Sequence, residues 1–411
     1  MTANIDSSAP QAEADTILAT LVERARAMIP VLRERAPEAE ENRRLHYETH
    51  RQFFDAGFYR IFQPKRYGGY ELDFSALIDI NAEIGRGCGS AAWIFANLAG
   101  QSWINGMKDL QAQDDVWGEN PDALICASFP GPGATAKKVD GGYVADGTWI
   151  FSSGVDFADW NNLQLFIRAE GKPPEHRFAL IPKSDYEIVD DWFVSGLAAT
   201  GSRSVVVKEV FIPEHRAISA AQVVGGPTPG SAVNPSPIYK LPLFSIGNKQ
   251  FSSAALGIAL GALELTEADI ISRRSVAGVK LAEQQTVQLR IAEASAELQA
   301  AQLLLESDCR ESTAVAMAAA TPTAEERARW RRNNAYAGKL CVQAVERLFP
   351  LAGGRGLGFA LPFQRAFRDV HAATSQGSMP WDVQAVFYGQ SRFELALDDP
   401  RIFPDKKPAE K

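Results

Sequence analysis

Only four cysteines occur in 411 residues, and Cys88, Cys126, Cys309 and Cys341 are too scattered for a redox pair or a zinc ribbon. They read as buried thiols of a protein kept in a reducing cytoplasm. Histidine is nearly as scarce. His46, His50, His176, His215 and His371 include no pair at zinc-site spacing, so no metal is expected. Long apolar runs are missing too. The longest, around Leu256 to Leu265, is broken by Glu264 and is too short to span a bilayer. A basic excess is also lacking: 42 Lys and Arg against 50 Asp and Glu leave a net charge of −8. That balance argues against nucleic acid, and no basic amphipathic helix suggests a membrane surface. The opening MTANIDSSAPQAEAD is acidic and polar, unlike a secretory signal.

What is present is apolar residue in quantity, 46 % of the chain, enough for the cores of two or three domains. Residues 1–122 read as a helical domain. Ile17, Leu21 and Ala25 continue through Met28 at helix spacing. His46 to Phe54, Phe74 to Ile84 and Ser90 to Leu98 add further helices, with a Gly57 stop and a PKRYGG turn at Pro64 to Gly69. Residues 123–216 change to short β-rich runs, Ala123 to Phe129, Tyr143 to Phe151, Leu163 to Ala169, Arg177 to Ile181 and Ser204 to Ile212. That interval predicts a small barrel or sandwich. Residues 217–248 form a connection rich in Pro, Gly and Ser, whose composition admits either a lid over a site or an interaction segment. Residues 249–411 return to helix. Val287, Ile291, Ala294, Leu298, Ala301 and Leu305 make a bundle-type seam; Tyr336, Leu340, Ala344 and Leu348 make another. The expected fold is mainly α with a central β domain.

The most informative stretch is LAGGRGLGFALPFQRAFRD, Leu351 to Asp369, where Gly353, Gly354 and Gly356 end a helix and let the backbone come close to a ligand. In order along the chain it joins PKRYGG, RSVAG (Arg274 to Gly278), Gln285 and Ala292. This set resembles the acyl-CoA dehydrogenase fold: an N-terminal helical domain, a middle β-barrel and a C-terminal four-helix bundle. The likeness covers nearly the whole chain, although Ala277 stands where that family commonly has Phe. It implies that Arg274 and the glycine segment serve a neighbouring subunit's flavin, in a homotetramer built as a dimer of dimers.

Two sub-classes of that fold differ at the active site. The dehydrogenases carry a catalytic Glu shortly after Arg-Asp. Here the region reads Thr374-Ser375-Gln376-Gly377-Ser378, and an amide has no proton-accepting state near neutral pH. Glu346 and Glu394 read as surface charges. The chain more closely resembles the two-component flavin monooxygenases of aromatic compounds, through WIFSSG (Trp149 to Gly154), Gly201-Ser202, VVVKEVFIPEHR (Val205 to Arg216) and CASF (Cys126 to Phe129). The resemblance implies reduced FAD or FMN, freely diffusing from a separate NAD(P)H-flavin reductase, with O₂ as co-substrate and a C4a-hydroperoxyflavin as the oxygenating species.

The same resemblance assigns candidate roles. Ser152 or Ser153 would hydrogen-bond flavin N5, although a Ser-Ser-Gly turn capping a strand has the same pattern. Arg274 would supply a cation to the pyrophosphate, Gly353, Gly354 and Gly356 backbone access, Ser202 a donor to phosphate or ribose, and Trp149 a surface against the ring. Ser128 would face the substrate. The phenol hydroxylases of this group commonly carry two histidines where this sequence has Gln101 (before Trp103) and Gln376. Glutamine exchanges hydrogen bonds but removes no proton. His371 lies five residues from Gln376, about 140° round a helix at roughly 100° per residue, and reads as structural. The substrate is therefore expected to be a small aromatic already rich in electrons, such as an indole-like ring, in a pocket bordered by aromatics among Trp93, Phe95, Trp103, Phe157 and Trp381. The alternatives are a phenol hydroxylase with a different base, an acyl-CoA dehydrogenase, and a catalytically silent flavin-binding relative.

Overall fold

The computed structural model describes residues 8–168, 174–393 and 395. The first helical zone holds α1 (Ser8–Glu41), α2 (Tyr47–Asp55), α3 (Ser75–Gly87), α4 (Gly89–Gly106) and α5 (Leu110–Trp117). Helix α1 continues past Met28 through Pro30 and Pro37. A proline forfeits one backbone bond, but α1 lies along α3 with Leu21, Ala25, Leu32, Ala36 and Ala39 buried, so tertiary packing carries the helix past both. In α4 every residue but Asn97 is buried.

The middle zone contributes β1 (Ile125–Pro130), β2 (Thr135–Val139), β3 (Gly142–Ser152), β4 (Trp160–Ile167), β5 (Glu175–Pro182), β6 (Glu187–Val189), β7 (Arg203–Pro213) and β8 (Ala217–Ser219). They form one eight-stranded sheet in the order β6-β7-β3-β1-β4-β5-β8, with β2 on β3. Only β1 and β4 run parallel, pairing Cys126 with Asn161 and Ser128 with Leu163. The register of β3 on β7 shifts between Trp149 and Ser152. This bulge re-aims the side chains of the Ser-Ser-Gly end.

Residues 217–248 are packed rather than loose. The Tyr239 hydroxyl donates to the Phe62 carbonyl (3.0 Å), the Trp103 indole N–H donates to the Ile238 carbonyl (2.7 Å), and Leu243–Gly247 winds as a π-helix. There follow α6 (Lys249–Ser272), α7 (Gln285–Met317), α8 (Ala324–Leu348), α9 (Phe363–Thr374) and α10 (Trp381–Arg392). Thr323 caps α8 reciprocally: its hydroxyl accepts from the Glu326 N–H, and the Glu326 carboxylate accepts from the Thr323 N–H. The α7 seam is buried at Val287, Ala294, Leu298, Ala301 and Leu305.

One continuous core runs from Leu21 in α1, through Trp149 and Leu163 in the sheet, to Val370 in α9. At the crossing of α3 and α6 a Cβ on Gly85 would lie 2.6 Å from the Cα of Gly257, so the two backbones touch. The fold is the acyl-CoA dehydrogenase-like arrangement of N-terminal helices, central sheet and C-terminal helices. Among the described residues no helix is long and apolar enough to cross a membrane.

Candidate active site

Where the three zones meet, a cavity of about 720 Å³ opens, a size that admits a tricyclic ring and a small aromatic beside it. Helix α4 presents Trp93, Asn97, Gln101 and Ile104, spaced by four, four and three along one face. The sheet supplies Ala127, Phe129, Phe151, Gln164 and Phe178; the loop before β7 supplies Trp192, Val194 to Leu197, Thr200 and Ser202. The opposite wall comes from Leu243, Phe244, Gly247, Asn248 and Gln250, from Phe251 and Arg331, and from the α9 end at Ala372 and Ser375 to Ser378. Among these residues Arg331 is the one charged side chain, and no carboxylate, imidazole, phenol or lysine stands among them.

Two residues of this lining hold left-handed backbone without being glycine, Phe151 (φ 65°) and Leu197 (φ 54°). Such conformations cost about 1–3 kcal/mol each and persist where the surroundings over-determine them. Phe151 thereby turns into the cavity and delivers Ser153 beside it. Leu197 is held by the buried Asp369, whose carboxylate accepts its N–H at 2.7 Å, while the Arg368 guanidinium donates to the Ser195 carbonyl. Between these anchors a Cβ on Gly196 would come within 2.4 Å of the Arg368 carbonyl oxygen. The Arg-Asp pair therefore fixes the loop that walls the cavity.

Burial raises the Asp369 carboxyl to about 6. The native state then keeps a proton that an unfolded aspartate loses at roughly 3.9, so this group withdraws stability as pH rises through that interval. Asp369→Asn, whose side-chain oxygen can still accept from Leu197, should gain on the parent by roughly 1–3 kcal/mol between about pH 4 and pH 7 in urea unfolding. A difference flat with pH would discard this account.

The hydroxyls of Ser153, Ser202 and Thr200 form a chain with a fixed direction. Thr200 donates to the Leu197 carbonyl (2.7 Å), so its contact with Ser202 (2.7 Å) uses the Ser202 proton. Ser202 has then no second proton for Ser153 (2.7 Å), and Ser153 must be the donor there. Ser153 also accepts the Trp93 indole N–H at 3.0 Å. Its remaining lone pair can only accept from a molecule in the cavity. Reduced flavin offers an N–H of that kind at N5, and this acceptor fits it.

The other sequence-derived candidates divide. Gln101 and Gln376 line the cavity; the Gln376 amide oxygen accepts from the Ser378 N–H (2.7 Å) and hydroxyl (2.5 Å). Ser152 and Ser128 do not line it. They lie behind the wall in a buried cluster, with 2.5 Å between their hydroxyls and Ser128 donating to Asn161 at 2.8 Å. Trp149 is buried in the sheet and donates to the Gln164 carbonyl. Trp103 is core, Trp381 packs on Tyr336, and Phe157 stacks on His50. His371 turns to the Phe367 carbonyl and to Glu346. Glu394 lies outside the described residues.

Arg274 is exposed on the turn between α6 and α7, where it donates to the Gly278 carbonyl. The segment of Gly353, Gly354 and Gly356 adjoins it: Gly353 faces Arg273, and Arg355 pairs with Asp269. The two motifs thus meet at one end of the C-terminal helices, off the cavity of their own chain. Asn97, Gln164, Trp192, Phe244 and Arg331 were not anticipated. The four-four-three face of α4 is the one local pattern that contained a pointer, to Asn97.

Family models for the acyl-CoA dehydrogenase N-terminal domain and C-terminal domain match residues 13–108 and 250–379. The oxygenase subunit of a flavin-dependent monooxygenase from Rhodococcus jostii (strain RHA1) is 34 % identical over 93 % of this chain and 100 % of its own. The oxygenase component of an FADH(2)-dependent resorcinol hydroxylase from Rhizobium sp. (strain MTP-10005) is 34 % identical over 95 % of this chain and 98 % of its own. The solved structure of XiaF from Streptomyces sp. with FADH2 and glycerol superposes with a TM-score of 0.86 at 25 % identity, covering 95 % of this chain and 99 % of that one. A likeness of this extent, joined to a cavity that holds hydroxyls and amides where an acyl-CoA dehydrogenase needs a carboxylate, means that this chain belongs to the oxygenase components of flavin-dependent monooxygenases built on the acyl-CoA dehydrogenase fold.

Proposed function

We propose that this chain oxygenates a small aromatic whose ring is electron-rich without help from an enzymic base. An indole-like ring meets that condition, and a phenol meets it once ionised. The observation that carries the reading is the lining: no side chain on it can pull a proton from carbon, whereas several can exchange hydrogen bonds. Reduced flavin, when bound, supplies the two electrons that activate O₂. The chain's own part is to accept an N–H at Ser153 Oγ, to keep that proton in place, and to exclude water with Trp93, Phe151, Trp192 and Phe251. Gln101 and Gln376 orient the ring. FADH2 is the first flavin to test, because it is the one named for two relatives.

A separate NAD(P)H-flavin reductase is the partner this chemistry requires. We also place the protein in the reducing cytoplasm, supported by four free, buried cysteines. The division at residues 122, 216 and 248 stands as the proposed domain plan, with Leu243 to Gly247 as the part of the connection that borders the site. A homotetramer in which Arg274 and the Gly353 segment reach a neighbour's flavin is supported by exposed apolar side chains beside them, among them Ile271, Val276, Leu357 and Phe359.

The test is a stopped-flow mixture of protein, reduced FAD, isotopically labelled O₂ and a panel of indoles and phenols. The expected result is delayed appearance of oxidised flavin and a product carrying label. Oxidised flavin formed as fast as without protein, with hydrogen peroxide as the sole product, would defeat the reading. Anaerobic bleaching of bound oxidised flavin by an acyl-CoA would restore the dehydrogenase.

A further inference from the structure

Behind Gln101 the polar contacts continue away from the cavity. The Asn162 amide N–H donates to Gln101 Oε1 at 2.9 Å, and the Lys108 amine donates to Asn162 Oδ1 at 2.9 Å. All three are buried, Lys108 at 1 % exposure just beyond the end of α4. Burial holds the Lys108 amine well below its usual range, and the N–H it gives to Asn162 Oδ1 sets which end of the Asn162 amide faces it. That places the Asn162 N–H toward Gln101 and requires Gln101 to answer with its oxygen. The Gln101 amide hydrogens have no acceptor among the described residues, and Gln101 lines the cavity.

We propose that Lys108 and Asn162 are positioning residues that fix Gln101 as a hydrogen-bond donor to the substrate, so that the site selects an aromatic bearing an acceptor oxygen, a phenolate or ring carbonyl, over one whose polar group is only N–H. This rests on the aromatic-oxygenase reading above and narrows its substrate class. A donor at a phenol's oxygen favours the ionised form, which gives an electron-rich ring in a cavity that has no base. A ring N–H in the same place would meet another N–H and leave both unpaired.

The probes are 2-naphthol and indole, measured by calorimetry on the intact protein with reductase left out. The parent should bind 2-naphthol about ten-fold or more tighter than indole, the scale of one satisfied against one unsatisfied buried donor. Asn162→Asp keeps a partner for Lys108 but turns an acceptor toward Gln101. The glutamine must then reverse and show its oxygen to the cavity, and the preference should fall toward one, because a naphthol O–H can donate there as an indole N–H does. Lys108→Met removes the fixing donor and should bring the ratio toward one. Gln101→Glu, an acceptor in any orientation, should likewise abolish the preference whether or not Lys108→Met folds. Unchanged ratios in Asn162→Asp and Gln101→Glu would overturn the relay. Because binding is read without turnover, altered ratios alongside failed oxygenation would sink the oxygenase reading alone.

Discussion

Lys249→Met should cost the fold roughly 3–5 kcal/mol, the largest single loss expected in this molecule. Lys249 Nζ lies 2.8 Å from Asp308 Oδ2, with the two side chains 0 % and 3 % exposed. The other Asp308 oxygen accepts from the Asn333 side chain at 2.8 Å. Removing the amine leaves a carboxylate in the core with one neutral donor, far from the water that would solvate it. The double variant Lys249→Met/Asp308→Leu removes both charges and should recover most of the loss, because two apolar groups can replace a buried pair nearly neutrally. Urea unfolding of both variants measures this, and equal losses in the single and the double would refute the pair as the cause. Asn248 and Gln250, on either side of Lys249, line the cavity, so the single variant should also bind reduced flavin more weakly.

Ser153→Ala and Ser152→Ala should separate cleanly although they are neighbours in sequence. Loss of the Ser153 hydroxyl removes the acceptor facing the cavity and strands the Trp93 indole N–H. A hydrogen bond of about 1.5–3 kcal/mol in such a setting corresponds to roughly 10- to 100-fold in rate. The variant should release correspondingly more hydrogen peroxide for each aromatic oxygenated, and should also lose about 1–3 kcal/mol of stability through the stranded indole N–H. Ser152→Ala instead strips a partner from the buried Ser128 and Asn161. It should destabilise by about 1–3 kcal/mol and leave the ratio of peroxide to product near that of the parent. Peroxide and product yields under one reductase supply decide between them, and melting curves check the two losses of stability. The same uncoupling in both variants would mean that Ser153 is not the acceptor on which the coupling depends.

Much of the fold was legible because its signals are local. The α7 seam, the β-rich runs of the middle zone and the Arg-Asp and Ser-Ser-Gly motifs each announce themselves within a few residues. The short strands β2, β6 and β8 do not. Thr135 to Val139 is almost wholly exposed, with no alternation to read. The full length of α1 was hidden by Pro30 and Pro37, because the contacts with α3 that override them lie far away in sequence. At the site, Ser153, Ser202, Gln101 and Gln376 were identified from motif position. Trp149 was placed against the ring by its position in WIFSSG, and Trp103 and Trp381 near ligand by aromatic character; neither signal distinguishes a cavity wall from core. Phe244, Arg331 and Gln164 come from three separate elements and converge only through tertiary packing, so no spacing in the chain connects them. The direction of the Ser153 chain likewise depends on a carbonyl at Leu197 that only the folded loop supplies.

The backbone contact between Gly85 and Gly257 bears on how molecules come and go. At that crossing no side chain lies between α3 and α6 to slide or reshuffle, and the start of α6 lines the site together with α4. That side behaves as a fixed jaw. Admission of a ring and departure of its hydroxylated form must then be accommodated by the sheet side, through the Trp192 to Leu197 loop and the latch that Asp369 closes on it. Any widening of that side must break the hydrogen bond by which one buried carboxylate holds the Leu197 N–H.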